Sequence, residues 1–396
     1  MGYLKEKMID YLFFGPWTWF FFILEIFVPV NRKRVLFGSN NGMQASDNSY
    51  ALFKHIILSS TDLSPIWITR KREVFDRINE EFPGSVVMSL SIRGFVTYLR
   101  SHQVVVSHSY LDMCLMPYSR KKIVNYLWHG VPVRKIGTML KDKENHISKG
   151  ILKHWQRWNK KLDYFFASNE YEAKIIQGAF HNNEFETIVS GYPRNDILKQ
   201  VGQSKKKREE GEEFIILYAP TYRILSAGRK NNKIPIMHPD VKIGEMEEFL
   251  ERNNARLIIR PHPLIEKMHF DVGRIDCVTI AQERDIANLF LRSDLFVTDY
   301  SSAYFDWLIL GRPVVFSVYD LEEYSKEVGL INNLQDIAAG DIVQNKKDLF
   351  ESLEKALSDS DESIARLPEI ERIIGSAEGL SCPKIVRVIQ ANSDLR

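Results

Sequence analysis

At 396 residues the chain is longer than the range over which one hydrophobic core keeps growing, so two domains are expected. A formal net charge of +2, with 44% hydrophobic and 26% charged residues, describes a globular protein and gives no sign of the concentrated basic excess of a nucleic-acid binder. The three cysteines, Cys114, Cys277 and Cys382, lie far apart with no CxxC pair, which fits a reducing, cytosol-facing compartment.

The first segment, "YLFFGPWTWFFFILEIFVPV" at 11–30, is almost wholly apolar and is flanked by Lys5 and Lys7 before it and by Arg32, Lys33 and Arg34 after it. At about 1.5 Å per residue it could just span a hydrocarbon core. Gly15-Pro16 interrupts it, Glu25 lies inside it, and Trp17, Trp19 and the flanking cations favour the membrane interface. No small-residue cleavage site follows, so it does not read as a signal peptide. Residues 1–33 are read as a stretch that lies in or dips into the bilayer against anionic lipids. A true span and a buried core helix are the alternatives. In either membrane case the basic "NRKR" keeps the next domain on the cytoplasmic side.

Short apolar runs then alternate with amphipathic stretches, the pattern of parallel sheets with crossover helices. Strands are expected at 34–39, 65–69, 86–90, 103–109 ("QVVVSHS"), 123–128, 164–168 and 187–191. The charged, apolar-free "GQSKKKREEGEE" at 202–213 breaks the pattern. Strands resume at 214–223, 256–263, 277–281, 295–302 and 313–319. Near-continuous apolar strands imply burial on both faces. The expected fold is therefore α/β, with two doubly wound, Rossmann-like domains facing across a cleft. Their limits are 34–203 and 214–396, with a linker at 204–213 and a last helix that can cross back to the first domain.

In such sheets ligands bind beyond the carboxyl ends of strands. That rule selects His129 and Gly130, Arg223, Arg260 and His262, and Asp299, Ser301 and Ser302. These are groups suited to a phosphate-rich ligand and a proton transfer. Each also has a plain structural role: His129 as a strand-end ring satisfied by backbone, "RPHP" as a rigid loop, and Ser301 or Ser302 as a helix N-cap. A helix start also offers N–H groups to an anion. Asp294 and Asp299 flank a strand and read as structural, and Gly311 as the stop of the short helix. Arg134 and Lys135 belong either to a solvated helix face or to an acceptor contact. The cationic runs "SRKK" (119–122) and "KKKR" (205–208) read as solvated. Asp359 and Asp361 form the sole DxD, in a polar run, and neither GxxxxGK[ST] nor GxGxxG occurs. No metal-ligand cluster stands out, although a divalent cation can assist phosphate chemistry.

Taken together, "WHGVPVRKIG", "ASNEYEAKII", "GYPRND", "YAPTYR", "RPHP" and "SDLFVTDYSSAYFDWLILGRPVVF" resemble the CDP-glycerol glycerophosphotransferase family, which primes or polymerises wall teichoic acid and related capsule polymers. The resemblance implies a GT-B-like pair of domains at the inner face of the membrane. It implies transfer of glycerol phosphate from CDP-glycerol to an undecaprenyl-type lipid-linked acceptor, with release of CMP. It assigns His129 as catalytic base, His262 with Arg260 to the donor pyrophosphate, Ser301 and Ser302 to phosphate, and Arg223 to the donor. CDP-ribitol as donor, a GT-B glycosyltransferase using a nucleotide sugar, and a non-catalytic membrane scaffold are the competing readings.

Overall fold

The structure, a computed structural model, describes residues 16–114, 116, 118, 121–140, 157–180, 184–201, 211–221, 235–261, 275–283, 285–358, 368, 370 and 379–394. The chain forms two compact units. The first comprises residues 1–129, 136–196 and 375–396, and the second residues 130–135 and 197–374.

The first unit is built on a seven-stranded parallel sheet of order β3-β2-β1-β4-β5-β6-β7. Its strands are β1 (Asn31–Phe37), β2 (Ser64–Thr69), β3 (Val86–Met88), β4 (Ser101–Val106), β5 (Ile123–Tyr126), β6 (Tyr164–Ala167) and β7 (Glu186–Val189). Successive residues feed opposite faces, as the two-residue period of a strand requires. Leu36, Val104, Val106, Val124 and Phe165 enter one core with Tyr98. Val35, Phe37, Val105 and Phe166 enter the other, under Leu52 and Phe53. The closing helix Ser381–Asp394 adds Ile385 and Ile389 to that second core. Asp196 caps its first turn by accepting from the N–H groups of Ser381 and Cys382 at 2.7 and 2.8 Å. The Gln103 amide fixes its other end by donating to Ile389 O at 2.7 Å.

The apolar N-terminal segment forms a helix at Pro16–Phe27. Thr18, Phe21 and Glu25 are buried, and Phe21 packs edge-on against Phe95 and Tyr98. Glu25 pairs with Lys122 at 3.2 Å, both side chains 1% exposed. Lys122 also donates to Tyr98 O and Ser101 O, so this lysine of "SRKK" is a core group and not a solvated one. The opposite face leaves Trp19, Ile23, Ile26 and Phe27 exposed. Among the described residues no helix is long and apolar enough to cross a membrane. The Trp17 side chain lies outside the described residues. Of "NRKR", Arg32, Lys33 and Arg34 are drawn into β1, where Lys33 pairs with Asp62 at 2.8 Å. The strand thus begins three residues before the apolar run that announces it.

The second unit carries a six-stranded parallel sheet of order β10-β9-β8-β11-β12-β13. Its strands are β8 (Phe214–Tyr218), β9 (Ala255–Ile259), β10 (Val278–Ile280), β11 (Leu295–Thr298), β12 (Val314–Ser317) and β13 (Asp341–Val343). Residues 130–135 are extended: Arg134 forms an antiparallel bridge with Leu330, flanked by Lys135 N–H to Gly329 O and Ile331 N–H to Val133 O. The helix considered for Arg134 and Lys135 does not form, because Pro132 removes a backbone donor and the 329–331 segment engages Lys135 N–H and Val133 O instead.

Candidate functional site

At the carboxyl ends of β4 and β5 the chain brings three motif regions together. Trp128 adopts a left-handed φ of 55, as do Asp47 (65), Asn40 (45) and Asn41 (57). Such conformations in non-glycine residues cost about 1–3 kcal/mol each and persist where the surroundings over-determine them. Those surroundings are visible here. Asn48, in the first turn of the Asp47–Leu58 helix, donates to the carbonyls of Leu127 and Trp128 at 3.3 and 3.0 Å. Ser49 and Ser107 share a hydroxyl pair at 2.6 Å. Asp112 accepts from the N–H groups of Ser107, His108 and Ser109, which clamps the turn after β4.

His129 is an exposed residue whose Nδ1 lies 3.1 Å from Ser107 O. A carbonyl can only accept, so Nδ1 carries the hydrogen and Nε2 is left as the basic nitrogen. Crowding by the surrounding protein, and then His108, lower its pKa from the usual 6.5 to about 4, while Asp47 acts in the opposite direction. Solvent at the exposed edge moderates that shift without reversing it. The resting ring is neutral at pH 7 and able to accept a proton.

Behind His129 stands a charged group that the strand-end rule did not select. Asp47 contacts Arg194 through Nη1 and lies 3.4 Å from His108 Nε2. Burial pushes its carboxyl up, but Arg194, His108 and His129 outweigh that and hold it below the usual range. Arg194, from "GYPRND", also donates to the His129 backbone carbonyl at 3.0 Å. Two further motif residues are structural. Glu172 of "ASNEYEAKII" is buried and accepts from Ser168 N–H at 2.6 Å and from the Tyr192 hydroxyl at 2.5 Å.

In the second unit the ends of β8, β9 and β11 are adjacent. Arg260, half-buried, follows β9 directly, its N–H on Tyr218 O at 2.8 Å. Asp299 accepts from Thr221 N–H at 2.9 Å and from Tyr300 N–H at 2.6 Å, so its carboxylate ties the loop after β8 to the end of β11. Asp294 holds Ile215 N–H at 2.8 Å, a structural role. Ser302 occupies the N-cap position of the Ala303–Trp307 helix but makes no capping bond with its side chain. The Ser301 hydroxyl accepts from Ala303 N–H at 3.2 Å instead. The N–H groups of Tyr304 and Phe305 turn back onto Ser301 O and Ser302 O. The first backbone donors of this helix are therefore engaged within the turn itself. Gly311, at a left-handed φ of 60, ends the following turn.

His129, Gly130, Arg134, Lys135, Arg260, Asp299, Ser301 and Ser302 are thus located. Arg223, His262, Asp359 and Asp361 lie outside the described residues. Among the described residues no cluster of three or more His, Cys, Asp or Glu could hold a metal ion.

The fold of two parallel sheets is shared with solved structures of a polymerase and of an epimerase. The structure of the wall teichoic acid polymerase TagF superposes with a TM-score of 0.71 at 22% identity, covering 92% of this chain and 90% of that one. A putative UDP-N-acetylglucosamine 2-epimerase from Listeria monocytogenes superposes at 0.55 with 14% identity, covering 91% and 96%. Sequence narrows the class. The chain belongs to the CDP-glycerol:poly(glycerophosphate) glycerophosphotransferase family, whose sequence model matches residues 20–391. It is 28% identical to the teichoic acid glycerol-phosphate transferase of Staphylococcus aureus, over 91% of this chain and 93% of that protein. It is 27% identical to the teichoic acid poly(glycerol phosphate) polymerase of Bacillus spizizenii, over 83% and 84%. The polymerase of Bacillus subtilis is 26% identical over 93% of this chain, which spans 50% of that longer protein.

Proposed function

We propose that this glycerophosphotransferase moves glycerol phosphate from CDP-glycerol to a hydroxyl of an undecaprenyl-type lipid-linked saccharide or of a growing poly(glycerol phosphate) chain, in teichoic acid or capsule-type polymer synthesis. The observation that carries this reading is His129 itself: within a family match over residues 20–391, its Nδ1 is committed to Ser107 O and its Nε2 is left basic. The acceptor oxygen bonds to the phosphorus that bears glycerol. The bond from that phosphorus to the bridging oxygen breaks, and its electron pair leaves with CMP. The acceptor proton passes to His129 Nε2. Negative charge of the bound donor raises the affinity of the ring for that proton.

Arg260 and His262, alternating with Pro261 and Pro263, take the pyrophosphate together with Arg223 and the hydroxyls of Ser301 and Ser302. Asp299 acts from behind by fixing the loop at Thr221. Gly130 admits a close backbone approach, and Arg134 and Lys135 serve the anionic acceptor. The enzyme works at the cytoplasmic face of the membrane through the exposed Trp19, Ile23, Ile26 and Phe27, joined by Leu90, Ile92 and Val96 of the neighbouring segment. The exposed Arg32, Arg93 and Arg100 supply attraction to anionic lipid of about 1 kcal/mol each.

The test is nucleotide release by the purified full chain given CDP-glycerol, CDP-ribitol or a UDP-sugar with membrane-extracted acceptor lipid. CMP from CDP-glycerol, lost in His129→Ala, is the expected result. Consumption of a UDP-sugar alone would refute the donor assignment, and no consumption of any donor would favour a scaffold.

A further inference from the structure

We propose that His108 is the positioning residue of the base: its imidazole, stacked flat on His129 and tethered to Asp47, holds the His129 ring in the one orientation that keeps Nδ1 on Ser107 O. The inference rests on His129 being the base and goes beyond it by naming what makes it one.

His129 needs such a device. Among the described residues its ring is held by one hydrogen bond, at Nδ1, and one bond is a pivot about which an exposed ring can turn. Stacking removes that freedom. The His108 ring lies 4.9 Å from it, centroid to centroid, with the planes 10° apart. The Trp128 indole packs at 4.5 Å and 37°.

His108 in turn is held from several directions. Its Nε2 lies 3.4 Å from Asp47 Oδ2. Its Nδ1 is approached by the Ser39 hydroxyl at 3.3 Å and by Asn40 N–H at 3.4 Å. A backbone N–H can only donate, so Nδ1 is the acceptor in this arrangement and Nε2–H points to the carboxylate. The backbone of the same residue is pinned as well, its N–H on Asp112 at 2.7 Å and its carbonyl under the Tyr126 hydroxyl at 2.9 Å. A half-buried histidine without a task does not require this many anchors.

Arg194 completes the brace, because one guanidinium nitrogen contacts both the Asp47 carboxylate and the His129 carbonyl. The two stacked rings are therefore referred to the same pair of charged groups. The ionisable side chains at the two rings come from the Asp47–Leu58 helix (Asp47), the turn after β4 (His108 and Asp112) and the 193–195 turn (Arg194). Three of the left-handed residues, Asn40, Asp47 and Trp128, each present a group to this stack. Backbone strain gathered at one point is the mark of a conformation kept for a purpose.

The experiment measures CMP release from CDP-glycerol by the full chain with detergent-solubilised lipid acceptor, comparing His108→Ala, His108→Phe and His129→Asn with the parent. Removing a partner that orients a metal-ligating histidine costs about 10–100-fold, and the same scale is expected for a residue that orients a catalytic histidine. His108→Ala is expected to lower kcat by about that factor while KM for CDP-glycerol stays within about twofold, because the donor is not what His108 holds. His108→Phe, which keeps a flat ring on His129, is expected to recover most of the loss. Parental kcat in His108→Ala, or no recovery in His108→Phe, overturns the proposal. Should His108→Ala not fold, His108→Phe alone decides, and a kcat as low as that of His129→Asn overturns it. Parental turnover in His129→Asn would instead remove the base assignment on which the proposal rests. An inactive His129→Asn beside a fully active His108→Ala would remove the positioning role alone.

Discussion

His108 and His129 lie face to face, their ring centroids 4.9 Å apart and their planes within 10° of parallel, with the Asp47 carboxylate reaching the outer ring and Arg194 the backbone of the inner one. The charges of that pair act on His129 with opposite sign. Asp47 raises its proton affinity and Arg194 lowers it, and both belong to a net shift down to about 4 that is led by the crowding of the ring by surrounding protein.

With His129 as the proposed base, turnover requires the neutral ring, and the acidic limb of kcat/KM for CDP-glycerol is expected well below 6.5, in the direction of 4. Asp47→Asn removes a charge that favours imidazolium and should move the limb to still lower pH. Arg194→Met removes one that opposes it and should move the limb up. Shifts of the same sign in both variants would show that neither charge reaches the ring.

Glu172 carries a different pH dependence. Burial pushes its carboxyl up from 4.5 to about 7, against the pull of Ser168 and Tyr192. The folded chain keeps this proton between those values while the unfolded chain releases it. Stability from this group is therefore greatest below 4.5, falls as pH rises towards 7, and is fully lost above 7. Glu172→Gln keeps a neutral side chain throughout. Its melting temperature relative to the parent should rise between pH 5 and pH 8; a constant difference would place the carboxyl in its ordinary range.

Most of the scaffold was legible because buried parallel strands are apolar on both faces. Every strand but β13 stood out as an apolar run, and β13 is a three-residue strand opening on an aspartate, "DIV". What was lost lay at strand ends. The expected strand at 103–109 swallowed His108, whereas β4 stops at Val106; with the true end, the strand-end rule would have selected His108 beside His129. Asp47 and Arg194 gave no local signal, since their meeting with His108 and His129 joins positions about 150 residues apart along the chain. The N-terminal run was legible as apolar, but hydropathy counts Glu25 as an interruption when it is one end of a buried pair.

The exposed face of that helix yields a separate prediction. Trp19, Ile23 and Phe27 are 69%, 54% and 77% exposed and contribute nothing to the core, so replacing all three with serine should leave the fold intact. Burying such side chains in a bilayer interface contributes up to about 1.5–3 kcal/mol each. Co-sedimentation with anionic vesicles should therefore drop by at least about tenfold, while turnover on a soluble acceptor analogue is kept. Undiminished co-sedimentation would move membrane contact elsewhere.

The helix is fastened beneath that face by Glu25 and Lys122, and the same physics that makes the pair sound makes it fragile. Each charge has left water for a site 1% exposed, a cost that only the partner and the carbonyls of Tyr98 and Ser101 offset. Burial draws the lysine pKa down and Glu25 draws it back. Lys122→Met should cost about 3–5 kcal/mol by stranding a buried carboxylate, far more than the lost attraction between two exposed ions. Adding Glu25→Leu to that variant should restore part of the stability, because no uncompensated charge remains; the two carbonyls that lose their donor keep the rescue incomplete. Chemical denaturation of the parent, both single variants and the double variant gives the coupling directly. Simple addition of the two single losses would mean that the carboxylate does not depend on the lysine, and the docking of the Pro16–Phe27 helix would then have to rest on Phe21 and its aromatic neighbours alone.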